Sequence, residues 1–170
     1  LSLGKNIRGA IGEVALWGTK RSNAESQSQM HFAKSASTEN LIGYWKFNEG
    51  HGKVAKDVAR SRNMALAADS WYLNNTNFAA TLDGKNQLSL DITRSTALSS
   101  DDYMMEMWFR GKSQKNATLW SANTKVALKF NANGYLTLLT DSVENQLSTT
   151  NYLDGAWHHV AMNVLRNGTT

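Results

Sequence analysis

Leu41–Gly50, LIGYWKFNEG, decides how this chain is read. Alternation predicts a strand with Ile42, Tyr44 and Lys46 on one face. After an offset at Gly43, Leu41, Trp45 and Phe47 take the other. Two large aromatics so close together bring enough apolar surface to anchor a core. Asn48-Glu49-Gly50-His51-Gly52 then supplies a turn, with two glycines free to take positive φ.

Toward the C-terminus, short candidate strands recur with turn signals between them. Phe78–Leu82 runs into Asp83-Gly84-Lys85-Asn86, and Gln87–Ile92 follows. Tyr103–Arg110 is the clearest strand: Tyr103, Met105, Met107 and Phe109 form one apolar face, with Met104, Glu106, Trp108 and Arg110 opposite. Leu119–Ala122, Lys125–Phe130 and Tyr135–Thr140 come next, the last two joined by the hairpin signal Asn131-Ala132-Asn133-Gly134. Asp154-Gly155 turns into Trp157–Leu165, where His158, Val160, Met162 and Val164 share a buried-looking face. This recurrence predicts an all-β, antiparallel β-sandwich.

Toward the N-terminus, Arg8–Trp17 also alternates. Ile11, Glu13, Ala15 and Trp17 are expected on one face, and Ala10, Val14 and Leu16 on the other. A strand apolar on nearly both faces suits a sheet interior. Ser22-Asn23-Ala24-Glu25 has capping-box spacing, so one short helix is expected over Asn23–Ala33, docked by Met30 and Phe32.

The composition bounds the function. With 170 residues, 41% hydrophobic and 19% charged, the chain is globular and large enough for one domain or one and a fraction. No run reaches the roughly 18 apolar residues of a spanning helix, so no membrane insertion is expected. The net charge of +4 is scattered, with no basic stripe interleaved with aromatics, so no nucleic-acid partner is expected. Without cysteine, there is no disulfide and no thiol chemistry.

Trp45-Lys46-Phe47-Asn48-Glu49-Gly50, Asp83-Gly84, Met107-Trp108 and Trp157-His158-His159-Val160-Ala161 follow one another in an order that resembles the laminin-G-like (concanavalin A-like) jelly-roll modules of bacterial secreted and surface multidomain proteins. Gly9–Trp17 resembles the closing strand of such modules, with Gly12 where an acid usually stands. The resemblance implies that residues 1–36 are the closing strand and helix of a preceding module. Residues 37–40 are then a linker, and 41–170 a second module lacking its last strands. It implies a tandem array at the cell surface or outside the cell, an adhesin-like protein whose partners are an extracellular glycan or protein and the neighbouring modules. The alternative is a carbohydrate-binding module joined to a glycan-active enzyme.

Glycoside hydrolysis needs two carboxylates facing one bond. The strand Tyr103–Arg110 offers only Glu106, which is expected to be solvated or paired with Arg110, so no catalytic residue is assigned. His158 and His159 are adjacent on a strand and point to opposite faces, so they cannot share a metal ion. A sugar platform needs exposed aromatics beside hydrogen-bonding groups, and Trp71 and Tyr72 with Asn74 and Asn75 are the candidates. The resemblance also raises a structural calcium, for which Asp57 and Asn63 are the oxygen donors in the loop Asp57–Asn63. Arg60 and Arg62 put positive charge beside it. No other cofactor is expected.

Overall fold

The computed structural model describes residues 1–74, 77–91, 101–112, 117–122 and 126–165, and it is all-β with two antiparallel sheets. In chain order the strands are β1 (Ser2–Lys5), β2 (Arg8–Trp17), β3 (Leu41–Trp45), β4 (Val54–Ala55), β5 (Met64–Leu66), β6 (Trp71–Asn74) and β7 (Asn77–Asp83). They continue with β8 (Leu88–Ser89), β9 (Tyr103–Lys112), β10 (Thr118–Ser121), β11 (Val126–Phe130), β12 (Leu136–Thr140), β13 (Val143–Gln146) and β14 (Asp154–Val164). One sheet has the order β13-β12-β11-β10-β1-β8-β5-β4; the other runs β14-β9-β2-β7-β6, with β3 on the far half of β2.

The inner faces of the two sheets meet in one apolar cluster. Ile11, Val14, Met105, Met107 and Phe109 come from the second sheet, and Leu3, Leu88, Trp120, Leu128 and Phe130 from the first. Phe109 and Phe130 lie 5.5 Å apart, tilted by 49°, a favourable aromatic geometry across the sandwich. The face expected for β9 is therefore the core face. β14 is an edge strand with β9 as its ladder partner, so Val160, Met162 and Val164 are only half-buried against that core.

Residues 1–17 and the body share this core. β2 lies between β9 and β7, pairing Arg8 with Lys112 and Asp83, and Trp17 with Met104. Residues 37–40 thus join two parts of a single packed unit. The expected faces of β2 hold only in part. Ile11 pairs with Phe109, but Val14 pairs with Met107, so β2 carries one extra residue at Gly12-Glu13. This β-bulge lets Ile11, Val14 and Leu16 all face the core and turns Gly12 and Glu13 outward. A second irregularity, between Leu16/Trp17 and Gly43/Leu41, does the same for β3. Trp45 and Phe47 enter the main core, while Leu41 and Tyr44 join Ala15, Trp17 and Met104 in a smaller cluster on the outer face. The ring of Trp45 lies back over Gly43, where a Cβ would collide with it.

The segment 18–40 covers that smaller cluster. Its helix α1 (Asn23–Gln29) starts at the predicted capping box: Ser22 Oγ accepts from Glu25 N, and Glu25 Oε2 accepts from Ser22 N at 2.7 Å. The hydrogen bonds from the Ser22 backbone and hydroxyl hold the Glu25 carboxyl below its ordinary pKa. The helix ends at Gln29, four residues earlier than expected. Ser26 docks it, against Met104, while Phe32 is 67% exposed. Residues 30–34 leave the helix as a strap across the sheet because Met30 O accepts from Trp108 Nε1 at 3.0 Å and Lys34 reaches Glu106.

Candidate functional site

The outer face of the second sheet is where large side chains lean over small ones. Gly12 and Ala79 form part of its floor, and Trp108 on β9 and Trp157 on β14 stand over it. A Cβ built on Gly12 would come 3.3 Å from Trp108 Cβ and 3.5 Å from the ring of Trp157, so the cleft owes its depth to that glycine. The strap closes one side with Met30, His31 and Ala33, and Glu13, Lys46 and Asn48 supply polar groups. The cleft has a volume of about 460 Å³, within the range of small-ligand sites.

The aromatics are held, not loose. Trp108 is fixed by its N–H bond to Met30 O and stacks between His31 at 5.3 Å and His159 at 5.2 Å. Trp157 has Tyr72 at 6.4 Å, and the Arg110 guanidinium sits over both rings while donating to Tyr72 Oη at 2.9 Å. Arg110 thus serves the cleft wall. Glu106, the residue expected to be solvated or paired with it, has other partners.

Glu106 is 2% exposed. Its Oε1 accepts from Trp17 Nε1 at 3.1 Å and faces Lys34 Nζ at 3.3 Å; His159 Nε2 is 3.5 Å from Oε2. Burial alone would raise its pKa, but His159, the Lys34 ammonium and the Trp17 N–H together outweigh burial and hold it below the usual carboxylate range. Tyr44, beside the same hub, has its phenol pushed up by burial first and by the Glu13 carboxylate second. The hub ties β2, β9, β14 and the strap together directly beneath Trp108.

The sequence-predicted platform is divided. Trp71 and Tyr72 are adjacent on β6 and face opposite ways: Trp71 packs toward the core and donates to Gly52 O at 2.9 Å, while Tyr72 reaches the cleft side. Asn74 ends β6, and Asn75 lies outside the described residues. His158 and His159 do point to opposite faces, His158 toward Asp154 at 2.9 Å and Phe109, His159 toward Glu106. The residues missed from sequence are Trp108, Trp157, Gly12, Glu13, His31, Lys46 and Asn48. One signal for Trp108 was present: the opposite face of β9 is already complete in apolar side chains, which leaves the tryptophan outside.

Asp57 and Asn63 do not fit a calcium site. Asp57 Oδ1 accepts from Tyr44 N and Ala59 N at 2.9 and 2.8 Å, and Oδ2 from Arg60 N and Arg62 N at 3.1 and 3.0 Å. A carboxylate has about four lone-pair sites, and backbone donors take them all. Asn63 Oδ1 accepts from Asp57 N at 3.1 Å. The loop is therefore organised around its own anion. We expect Asp57→Ala to destabilise the protein by at least about 2 kcal/mol, since it strands buried N–H groups. Chelator should leave the wild-type Tm unchanged, and a calcium-dependent rise in Tm would contradict this assignment.

Among the described residues no helix is long and apolar enough to cross a membrane, and no known family, curated protein or solved structure matches this chain.

Proposed function

We propose that this chain is a non-catalytic binding module of an exported, multidomain surface protein, and that it takes an extracellular glycan in the cleft between Trp108 and Trp157. The observation that carries the reading is the pair of indoles over a floor of small residues, with Glu13, His31, Lys46 and Asn48 among the residues that line the same cleft. The apolar face of a sugar stacks on an aromatic ring while its hydroxyls need donors and acceptors at the edge. Glu13 is the one carboxylate among the lining residues, and Glu106 is committed to Lys34 beneath Trp108. That supports binding over hydrolysis, which takes two carboxylates across one bond. The resemblance to laminin-G-like modules supports the exported setting.

The test is a glycan array followed by calorimetry on the best binder. Trp157→Ala should keep the fold and weaken binding at least thirtyfold, about 2 kcal/mol. Trp71→Ala should instead lower Tm and leave the affinity of the folded fraction unchanged. Binding that survives loss of both Trp108 and Trp157 would place the ligand elsewhere.

A further inference from the structure

Part of the polar lining of the cleft is delivered by a strained stretch of backbone. β3 stops at Trp45, and Phe47 follows with φ at +54°, in the left-handed region that a bulky L residue rarely adopts. Its ring is fully buried in the main core, which holds the backbone in that conformation. The residues on either side of it, Lys46 and Asn48, both line the cleft. Strain of this kind persists where the surrounding structure over-determines it, and it gathers at ligand sites.

Lys46 is also a cation without an anion. It is half-buried, and among the described residues no carboxylate, Glu13 included, forms an ion pair with its Nζ; the nearest group given to it is the Tyr44 ring, 5.8 Å from Nζ to centroid. The other charges around the cleft have partners. The Glu13 carboxylate acts on the Tyr44 hydroxyl, Arg110 donates to Tyr72 Oη, and Lys34 faces Glu106. The Asn48 amide makes no hydrogen bond among the described residues. An ammonium drawn partly out of water is stabilised by an anion beside it.

We propose that Lys46 and Asn48 form an anion-accepting subsite of the cleft, so that its ligand is an acidic glycan. A sugar carboxylate pairs with the Lys46 ammonium and accepts from the Asn48 amide while the ring stacks on the indoles. The inference rests on the glycan reading of the cleft and adds to it the charge of the ligand.

An array that holds neutral, sulfated, uronic-acid and sialic-acid glycans tests it on the intact chain. Carboxylated glycans should lead the binders, with affinity falling as sodium chloride is raised. By calorimetry, the carboxyl-reduced form of the best binder should bind at least about tenfold more weakly. Lys46→Gln, with an unchanged Tm, should weaken the carboxylated form by a similar factor and leave the reduced form unaffected. Neutral or sulfated glycans leading the array, or a Lys46→Gln protein that binds as the wild type does, overturns the acidic assignment; a Trp157→Ala loss in the same assay still upholds the cleft as the glycan site. An array with no binder overturns both.

Discussion

A chain lacking residues 1–17 will not fold. Its far-ultraviolet circular dichroism will show no cooperative thermal transition, and its amide resonances will collapse to unfolded positions. β2 holds the centre of its sheet, laddered to β9 along its length and to β7 and β3 over its two halves. With it go Leu3, Ile7, Ile11, Val14, Leu16 and Trp17, each 2% exposed or less. At about 1.5–3 kcal/mol per buried side chain the loss is on the order of 10 kcal/mol, comparable to the whole net stability of a typical domain. Retention of a sharp melt by the truncated chain would show that the body holds together without its central strand.

Lys34→Ala will cost about 3–5 kcal/mol, because it leaves the Glu106 carboxylate buried without its ammonium. The pH dependence follows from the direction of the shift. Glu106 is held below the usual carboxylate range, so between its folded and unfolded pKa the unfolded chain binds more protons and stability rises with pH. The contribution is complete above the ordinary carboxylate range and is lost as pH falls through the folded value. Without Lys34 the lowering diminishes, and acid unfolding should move to higher pH. Adding Glu106→Gln should recover much of the loss, since a neutral amide needs no counter-charge. A double-mutant cycle followed by urea denaturation at several pH values reads all three outcomes. Additive losses would mean that the two groups do not interact.

Alternation made much of this legible. Tyr103–Phe109 announces its core face, His158 and His159 divide correctly, and the capping box at Ser22-Glu25 starts the helix where expected. The same rule separates Trp71 from Tyr72, so the candidate platform fails by the logic that parts the histidines. The bulge at Gly12-Glu13 was not legible, since one inserted residue leaves the apolar count unchanged while reversing the faces that follow. Nor was β13, whose four residues are all exposed and do not alternate between apolar and polar. The environment of Glu106 needs Trp17, Lys34 and His159 from three distant segments, and no local pattern reports such a meeting.

The central position of β2 also sets the order of events during folding. The strand is synthesised long before β9, so the edge of β2 that ladders to Met104–Lys112 stays open until Lys112 exists to meet Arg8. Beyond the β3 ladder its pairings are far apart in sequence, and closing those long loops must precede the reward from their contacts. Folding is expected in the slow, millisecond-to-second regime of non-local β topologies. During that wait the apolar run is open to chaperones and to the edge strands of other copies.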